Sequence, residues 1–586
     1  MSFFSSLNQA MMKFKQVMPL ASLIYIAITY FNMSAGQSQD SNKEIPRLLK
    51  QGTATQLIVK DAPFLMLAGE LHNSSMGGFE YMRPIWKRMA DANLNTLIST
   101  ASWELVEPKE GQFDFALVDS MILGARKEGL KLVVIWFGSW KNSESSYAPS
   151  WVKQDQKRFP RAKNDKGETL NVLSTFSEQA CAADAKAFAA LMNHIREIDS
   201  KEQTVVMMQI QNELGTLRTK RDYSELANSA FNGKVPSELM AYLKKNKKTL
   251  HPGVLSAWEK QGSADSGTWE QVFGKGVLAD DWKGMSYLTE EMFMAWNYAK
   301  YVGKVTKAGR DKYNIPMYAN AWIKQPGQSG HAPGNYPSGG PTPQVIDIWR
   351  AGAPAIDFIA PDIYAVDEFR YVTDQYTLSG NPLFIPETIG DANGAARAFF
   401  TYGKYSAMGY APFGIEGGDA GANVDDISHM KDAYGTLKQV IPLILKYQGS
   451  QNLNGMLVTE KSEADSVIIG GYALKGTFPR RFNYAAAGVA VPAGQQAAVQ
   501  TTGKKAGGCL IISTGPGEYI VAGRNMSINF GLSAPDTKKK VNFLSLEDGH
   551  FVDGKWVTSR RLNGDEYKIT FPADGSKIFK FSLYTY

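Results

Sequence analysis

Two stretches decide the fold of this chain: Lys131-Leu132-Val133-Val134-Ile135-Trp136-Phe137 and Val205-Val206-Met207-Met208-Gln209-Ile210-Gln211. Both are almost continuously apolar, without the alternation of a strand that has one face in water. Such runs are typical of parallel strands that are covered on both faces. Six further β-prone runs precede or follow them: Phe64–Leu71, Thr96–Thr100, Pro316–Ala321, Asp357–Tyr364, Pro382–Pro386 and Gly409–Ile415.

Helical patterns separate these runs, as in Tyr81–Ala92, Ala116–Glu128 and Ala182–Asp199. Strands that alternate with helices predict an α/β fold, here a closed (β/α)8 TIM barrel, with a doubly wound open sheet as the alternative. Beyond a helical pattern at Asp425–Gln448, short β-prone runs separated by turn residues predict a smaller C-terminal β-sandwich. These runs are Val467–Ala473, Gly488–Val491, Gly508–Ser513, Tyr519–Ala522, Lys540–Leu546 and Lys577–Leu583.

The N-terminus carries a targeting pattern. Lys13 and Lys15 precede an apolar run, Val17–Phe31, and small residues follow at Ser34-Ala35-Gly36. This order predicts a secretory signal peptide, with a retained membrane anchor as the alternative. We therefore expect three parts: a signal peptide over residues 1–36, a catalytic barrel over 37–430 and a sandwich over 431–586. The mature protein is expected in the periplasm or the medium.

Composition excludes several classes of protein. The 586 residues contain 63 Lys and Arg against 57 Asp and Glu, a net charge of +6, without a basic stripe that would indicate nucleic-acid binding. Two cysteines, Cys181 and Cys509, exclude a disulfide framework and a Cys-rich zinc site, and leave open whether the two pair. The zinc-protease, serine-hydrolase and phosphate-loop motifs do not occur, so we expect neither a metal nor a cofactor.

Two glutamates follow predicted strands where each strand ends. Asn212-Glu213-Leu214-Gly215 follows the fourth strand, and Glu387-Thr388 follows the seventh. Barrel active sites lie at the carboxyl ends of the strands. A carboxylate buried there needs a cation or a chemical role, because burial without a partner is costly. A salt bridge inside the barrel is the alternative for each one, and the pair favours catalysis.

In combination these motifs resemble the retaining glycoside hydrolases of clan A, and within that clan family 35, the β-galactosidases. The resemblance covers most of residues 60–420, and the compact sandwich is similar to that of a bacterial subgroup. Four further segments carry it: Gly69-Glu70-Leu71-His72, Trp103-Glu104-Leu105-Val106-Glu107-Pro108, Gly111-Gln112-Phe113-Asp114-Phe115 and Pro149-Ser150-Trp151.

The resemblance implies a role for each matched residue. Glu213 would be the general acid/base and Glu387 the nucleophile, a pair that retaining enzymes hold ~5–5.5 Å apart. Asn212 would bind the sugar 2-hydroxyl, Tyr364 would donate a hydrogen bond to the nucleophile, and Glu144 would bind galactose hydroxyls, with a loop salt bridge as the alternative for Glu144.

Further candidates come from strand ends. Sugar faces pack on aromatic rings, so Trp140 and Trp322 are candidate platforms, with core packing as the alternative. Asn320 and Glu416 lie at the ends of strands five and eight and are candidate polar ligands, whereas His72 matches the first-strand motif, with a structural hydrogen-bonding role as the alternative.

The expected function is a retaining exo-β-galactosidase that acts by double displacement on galactosylated oligosaccharides, with xyloglucan side chains as one candidate. The alternatives are another clan A enzyme, such as a β-glucosidase or an arabinopyranosidase, and a carbohydrate-binding protein without catalysis. A carbohydrate substrate is the expected partner, with neither nucleic acid nor stable membrane insertion, and the oligomeric state stays open.

Overall fold

A computed structural model describes residues 45–278, 283, 287–324, 332–365, 367–417, 426–479, 505–534 and 538–586. The expected signal peptide and the predicted strand Gly488–Val491 lie outside these residues. From Pro46 onward the chain forms one compact unit. A search of the described helices finds none with the length and apolar character that a membrane crossing requires.

The first fifteen strands build the barrel and its attachments. They are β1 (Arg47–Gln51), β2 (Ala54–Val59), β3 (Ala62–Phe64), β4 (Met66–Glu70), β5 (Thr96–Ser102), β6 (Lys131–Lys141), β7 (Arg161–Lys163), β8 (Thr169–Leu173), β9 (Val205–Asn212), β10 (Gly276–Val277), β11 (Tyr287–Leu288), β12 (Met317–Trp322), β13 (Phe358–Ile363), β14 (Ile385–Thr388) and β15 (Gly409–Pro412). Parallel pairing closes a barrel in the order β4-β5-β6-β9-β12-β13-β14-β15. The predicted barrel is confirmed, and the open doubly wound sheet is wrong.

Helices surround the barrel and fill its long connection between β9 and β12. They are α1 (Phe79–Met82), α2 (Ile85–Asp91), α3 (Trp103–Val106), α4 (Ala116–Lys127), α5 (Ser150–Gln154), α6 (Glu178–Asp199), α7 (Glu225–Asn232), α8 (Ser237–Asn246), α9 (Pro252–Lys260), α10 (Trp269–Phe273), α11 (Thr289–Arg310), α12 (Ile346–Gly352), α13 (Phe369–Thr377), α14 (Ala392–Lys404) and α15 (Ser428–Tyr447). The predicted helix Tyr81–Ala92 is two helices, because Pro84 lacks the amide that a continuous helix would need there.

A three-stranded antiparallel sheet, β1-β2-β3, was not predicted and closes the amino end of the barrel. Every residue of β2 is buried, and Leu57 and Val59 belong to the same hydrophobic core as the interior barrel residues. The amide of Lys60 donates to Gln203 Oε1 at 2.7 Å, just before β9 begins. The barrel interior is therefore filled and covered from below.

The C-terminal strands form two antiparallel sheets. They are β16 (Leu453–Thr459), β17 (Ala464–Ile469), β18 (Tyr472–Thr477), β19 (Ala506–Gly515), β20 (Glu518–Arg524), β21 (Ser527–Leu532), β22 (Val541–Val552), β23 (Lys555–Arg561), β24 (Ile569–Thr570) and β25 (Lys577–Thr585). One sheet has the order β16-β19-β20-β25-β22-β23 and the other β17-β18-β21-β24, and side chains of both share one apolar core. The predicted sandwich is confirmed.

One predicted strand of the sandwich is wrong. Val467–Ala473 is not a single strand, because β17 and β18 form a hairpin with its turn at Gly470 and Gly471. Both glycines have positive φ, 59° and 88°, as a tight hairpin turn with a primed geometry requires. The Gly-Gly pair was the signal for the turn.

Helix α14, which connects barrel strands β14 and β15, also packs against the six-stranded sheet. The amide of Ala506 donates to Asn393 Oδ1 at 2.8 Å. A Cβ atom at Gly508 would lie 2.0 Å from the carbonyl oxygen of Ala396, so the helix and β19 approach as closely as glycine allows. The barrel and the sandwich therefore share one helix.

The two cysteines are both free and buried. Cys181 lies in α6 beside the barrel, whereas Cys509 lies in β19 within the sandwich core. The pairing that the sequence left open is not formed.

Candidate active site

The carboxyl end of the barrel carries a cluster of buried carboxyl groups. Its members lie at the ends of β4, β9, β13 and β14 and in the segment after β15: Glu70, Glu213, Asp362, Glu387 and Glu416. Glu213, Asp362 and Glu387 each offer an oxygen that lies within 4.8 Å of the oxygens of the other two. The structure thus brings the two predicted catalytic glutamates together.

Glu213 has an environment that favours its protonated form. Its side chain is buried, and burial followed by the negative charge of Glu387 raises the pKa of Glu213 to about 8. Desolvation and a like charge are the two causes that keep a carboxyl neutral near pH 7. Glu213 can therefore carry a proton at neutral pH and give it to a leaving oxygen.

Glu387 has neighbours that favour its charged form. Burial raises the pKa of Glu387 above its usual value, and the charge of Lys141 and the hydrogen bond from Tyr364 offset part of this rise. The Tyr364 hydroxyl donates to Glu387 Oε1, which is the contact that the resemblance predicted. The two glutamates thus differ in environment, as an acid and a nucleophile must.

The backbone at Glu213 is held in an uncommon conformation. Its φ is +46°, and Gln211 two residues earlier has φ +63°. Non-glycine residues with positive φ cost of order 1–3 kcal/mol and persist where their surroundings fix them. Here the amide of Glu213 donates to Asn320 Oδ1 at 3.0 Å. Asn320, predicted as a sugar ligand, is therefore a residue that holds Glu213.

Asn212 lies in a network of amide side chains. Its Oδ1 accepts from Gln209 Nε2 at 2.9 Å and from Asn320 Nδ2 at 3.2 Å, and its Nδ2 donates to Asn142 Oδ1 at 2.9 Å. These bonds fix the amide beside Glu213. Its contact with a sugar 2-hydroxyl stays a prediction.

Asp184 of α6 supports the same strand end and was not predicted from the sequence. Its carboxylate accepts hydrogen bonds from Trp136 Nε1 at 2.7 Å, Ser139 Oγ at 2.7 Å and Gln211 Nε2 at 2.7 Å. Gln211 Oε1 accepts in turn from the amide of Trp140 at 2.9 Å. One buried carboxylate therefore connects α6, β6 and β9.

Glu416 lies beside the first-strand motif. Its Oε1 accepts from the amide of His72 at 2.9 Å and from Ser75 Oγ at 2.5 Å, and His72 Nδ1 lies 3.2 Å from the same oxygen. Its Oε2 is buried and receives no hydrogen bond from any described residue. The charge of Glu416 acts on Glu70, so both belong to the carboxyl cluster.

The structure does not bring Glu144 into this cluster by any contact among the described residues. Its side chain is exposed, and Oε2 accepts from Asn171 Nδ2 at 2.8 Å. A role in binding galactose stays a prediction for this residue.

The two tryptophan candidates differ. Trp140 is 0% exposed, its Nε1 donates to the carbonyl of Leu173, and its ring packs against Tyr298 and Tyr301. A sugar platform needs an open ring face, so the prediction for Trp140 is wrong and core packing is its role. Trp322 is partly exposed at the end of β12, in register with Asp362 of β13, and remains a candidate.

Two further residues of the site were missed. Asp362 follows the apolar residues of β13, so the strand-end argument applied to Glu213 could have found it. Lys141 was missed because β6 extends four residues beyond the predicted end at Phe137. Its charge lowers the pKa of Glu70, Glu213 and Glu387.

Among the described residues, Glu213, Asp362 and Glu387 are also the one group with the spacing to hold a metal ion. Burial and the charge of Glu387, however, raise the pKa of both Glu213 and Asp362. Carboxyls that keep their protons are weak ligands for a cation, so the arrangement fits proton chemistry.

Comparison with known proteins gives two family matches. The family 42 glycoside hydrolase model, described as "Beta-galactosidase", matches residues 79–370, and a "Domain of unknown function" (DUF5597) matches residues 430–571. The first match supports the glycoside hydrolase resemblance. The narrower assignment to family 35 is not supported, because the matching model is that of family 42.

Curated relatives match over part of the barrel. Beta-galactosidase-1-like protein 2 from Homo sapiens is 25% identical over 211 residues, 35% of this chain and 31% of that protein. Beta-galactosidase-1-like protein 3, also from Homo sapiens, is 26% identical over 173 residues, 28% of this chain and 24% of that protein. The chain thus matches less than a third of the length of either relative.

The solved structures with similar folds include a β-galactosidase from Bacillus circulans sp. alkalophilus, with a TM-score of 0.47 and 10% identity over 88% of this chain and 99% of that one. The β-galactosidase from Marinomonas ef1 has a TM-score of 0.43 and 11% identity over 64% of this chain and 60% of that one. The family match over residues 79–370, together with the facing carboxyls, identifies the barrel of this chain as a glycoside hydrolase domain.

Proposed function

We propose that this protein is a retaining exo-β-galactosidase that releases terminal β-linked galactose from oligosaccharides, with xyloglucan side chains among the candidate substrates. One observation carries the proposal: a carboxyl oxygen of Glu213 lies within 4.8 Å of one of Glu387. Retaining glycosidases separate their carboxyls by ~5–5.5 Å, whereas inverting enzymes need ~6.5–9.5 Å to admit a water molecule.

In the first step, Glu387 attacks the anomeric carbon while Glu213 gives its proton to the leaving oxygen. A covalent ester forms, and the negative charge of Glu387 disappears. The loss of that charge lowers the pKa of Glu213, which then accepts a proton from water as the water attacks the ester. The dependence of the Glu213 pKa on the Glu387 charge supports this exchange of roles.

The sugar itself is proposed to be galactose because the matching family model is described as that of β-galactosidases. A polar sugar also suits the unused hydrogen-bonding capacity of the site. Glu416 Oε2 is buried without a donor among the described residues, and a bound hydroxyl would supply one. Glu70, buried beside it, offers a second acidic acceptor.

A panel of nitrophenyl β-glycosides tests the activity and the sugar. Turnover of the galactoside well above the glucoside and the α-L-arabinopyranoside is expected. A preference for either of the other sugars would make the protein a different clan A glycosidase. Binding without turnover of any of them would make it a carbohydrate-binding protein.

Two measurements test the mechanism. Proton NMR of the first-formed sugar should show the β-anomer, and an initial α-anomer would overturn retention. Glu387→Gly should abolish hydrolysis, and azide should restore cleavage of an activated aryl galactoside by forming an α-galactosyl azide. A Glu387→Gly variant that keeps full activity would remove Glu387 as the nucleophile.

Export and the division of the chain are also proposals. We propose that residues 1–36 direct export and are removed, and that the parts 37–430 and 431–586 are the barrel and sandwich domains. N-terminal sequencing of the protein from the periplasm and the medium of its host tests the first point. An uncleaved N-terminus in the membrane fraction would favour the anchor.

A further inference from the structure

We propose that Asp362 is a positioning residue that stays protonated and donates a hydrogen bond to Glu213 throughout the catalytic cycle. The inference rests on the proposed function, because it assigns the acid/base role to Glu213. It adds a third carboxyl to the pair that a retaining glycosidase needs. It follows from the hydrogen-bonding capacity of the Asp362 side chain and from the charges around it.

The two oxygens of Asp362 have different surroundings. The side chain is 1% exposed at the carboxyl end of β13. Its Oδ2 accepts a hydrogen bond from Asn320 Nδ2 at 2.7 Å. Its Oδ1 is buried, and no donor among the described residues reaches it. Buried polar atoms are rarely left without a partner, so Oδ1 needs one.

Glu213 is the partner that the geometry supplies. An oxygen of each carboxyl lies within 4.8 Å of an oxygen of the other, and the proposed hydrogen bond joins these two side chains. Because both are acceptors when ionised, one of them must carry the proton between them. Asp362 Oδ2 accepts from Asn320, which leaves Oδ1 as the oxygen that bears the hydrogen.

The surrounding charges favour a neutral Asp362. Burial, followed by the charges of Glu387 and Glu213, raises the pKa of Asp362 well above its usual value. Like-charged carboxyls in one desolvated site cannot all ionise. The titratable groups whose charges interact with the Glu213–Asp362 pair are Glu70, Lys141, Tyr318, Tyr364, Tyr376 and Glu387.

The hydrogen bond has a consequence for the reaction. Glu213 gives its own proton to the glycosidic oxygen as the C1–O bond breaks and Glu387 bonds to C1. Asp362 keeps its proton and donates to the carboxylate that Glu213 has become. Because a donor stabilises the charged form, Asp362 lowers the pKa of Glu213 and makes it a stronger acid. It also fixes the orientation of the side chain that must reach the leaving group.

Two substitutions separate this role from simple packing. In Asp362→Asn, the amide oxygen can accept from Asn320 and the amide nitrogen can donate to Glu213. In Asp362→Leu, the branching at Cγ is kept, the side chain is larger, and both hydrogen bonds are lost. We expect Asp362→Leu to lower kcat/KM roughly 10- to 100-fold on galactosides with poor leaving groups, the size of losing one hydrogen bond to a charged group. Asp362→Asn should restore most of this loss.

Two measurements distinguish the proposed role from a packing defect: the pH profile of kcat/KM and the dependence of kcat/KM on the leaving group. The basic limb of kcat/KM should lie at higher pH in Asp362→Leu than in Asp362→Asn, because only Asn retains a donor to Glu213. The loss of kcat/KM in Asp362→Leu should be much smaller on dinitrophenyl galactoside, because its dinitrophenolate departs without needing a proton. Equal losses on both substrates, or an Asp362→Asn variant no better than Asp362→Leu, would overturn the proposal.

An ionised Asp362 makes the opposite prediction. Replacing it by the neutral Asn would then remove a negative charge and shift the basic limb to lower pH by about one unit or more. Infrared difference spectroscopy of the unliganded protein at neutral pH provides a test that needs no turnover. The carboxylic-acid carbonyl band that is lost in Asp362→Asn reports its proton, and an unchanged band would overturn the inference. A band that is lost in a protein without glycosidase activity would instead refute the proposed function alone.

Discussion

At the scale of single residues, two glutamates differ in their chemistry because their neighbours differ. The charge of Glu387 raises the pKa of Glu213, whereas Glu387 receives a hydrogen bond from the Tyr364 hydroxyl, which lowers its own pKa. The sequence predicted both glutamates, because a carboxylate directly after an apolar strand is conspicuous. The resemblance predicted that Tyr364 would hold Glu387, but the sequence did not predict that Asn320 would hold Glu213, since that contact joins strands that are distant in sequence.

The first residue-scale prediction concerns pH. If Glu213 is the general acid, it must be protonated, so kcat/KM should fall as the pH rises through about 8, the pKa to which burial and Glu387 raise it. The measurement is a pH–rate profile on a galactoside with a poor leaving group. Glu213→Gln should remove this limb along with most of the activity, and a wild-type profile that stays flat above the pKa would contradict the assignment.

The second concerns the nucleophile. The hydrogen bond from Tyr364 lowers the pKa of Glu387. Tyr364→Phe should therefore raise that pKa, and the acidic limb of the profile should move to higher pH by about one to two units, the equivalent of one hydrogen bond to a charged group. Tyr402→Phe is the control, because its hydroxyl donates to the carbonyl of Met66 instead. A shift of equal size in both variants would indicate a non-specific loss of packing instead of the loss of the Tyr364 hydrogen bond.

At the scale of elements, the barrel strands were predictable because continuous apolar runs of five to seven residues are typical of strands buried on both faces. The sheet β1-β2-β3 was not predicted, because its second turn contains no glycine. Lys60 and Asp61 adopt φ of 47° and 60°, where glycine or asparagine is the usual signal. Lys141, at the end of β6, was missed because polar residues continue the strand beyond its apolar part.

The element-scale prediction concerns Asp184, which connects α6 to the ends of β6 and β9. Asp184→Ala leaves the buried donors of Trp136, Ser139 and Gln211 without an acceptor. We expect it to lower the free energy of unfolding by about 3 kcal/mol, the cost of a buried hydrogen-bonding network that loses its centre. Urea denaturation measures the change.

Asp184→Asn is the matched variant for that experiment, because the side chain keeps its shape and one acceptor oxygen. It should lower the free energy of unfolding less than Asp184→Ala does. In both variants the loss of activity should exceed the loss that reduced stability alone would cause, since Gln211 lies two residues before Glu213. If Asp184→Ala is as stable and as active as the wild type, the network does not support the strand end.

At the scale of the whole molecule, helix α14 belongs to both the barrel and the sandwich. Turn spacing predicted that a sandwich exists, but not where it attaches, because the contact depends on Gly508, whose neighbour Ala396 lies more than a hundred residues away. A side chain at Gly508 would meet the backbone of α14, which cannot move aside as a flexible side chain can.

Gly508→Val should therefore destabilise both parts together. We expect a loss of about 3 kcal/mol from overpacking against the backbone, with one cooperative thermal transition at a lower temperature. Gly531→Ala in β21 is the control, since nothing lies within 4 Å of the position of its Cβ. Two separate transitions in Gly508→Val, with a barrel that melts at its original temperature, would contradict this coupling.

The sheet that covers the lower end of the barrel leaves the sugar one way in and out. Leu57 and Val59 pack against the side chains that fill the barrel interior and form one apolar core with them. Under the proposed function, freed galactose must depart through the same opening that admits the next oligosaccharide. Accumulating galactose should therefore act as a competitive inhibitor. The rate at which the host consumes galactose would then limit the rate of hydrolysis.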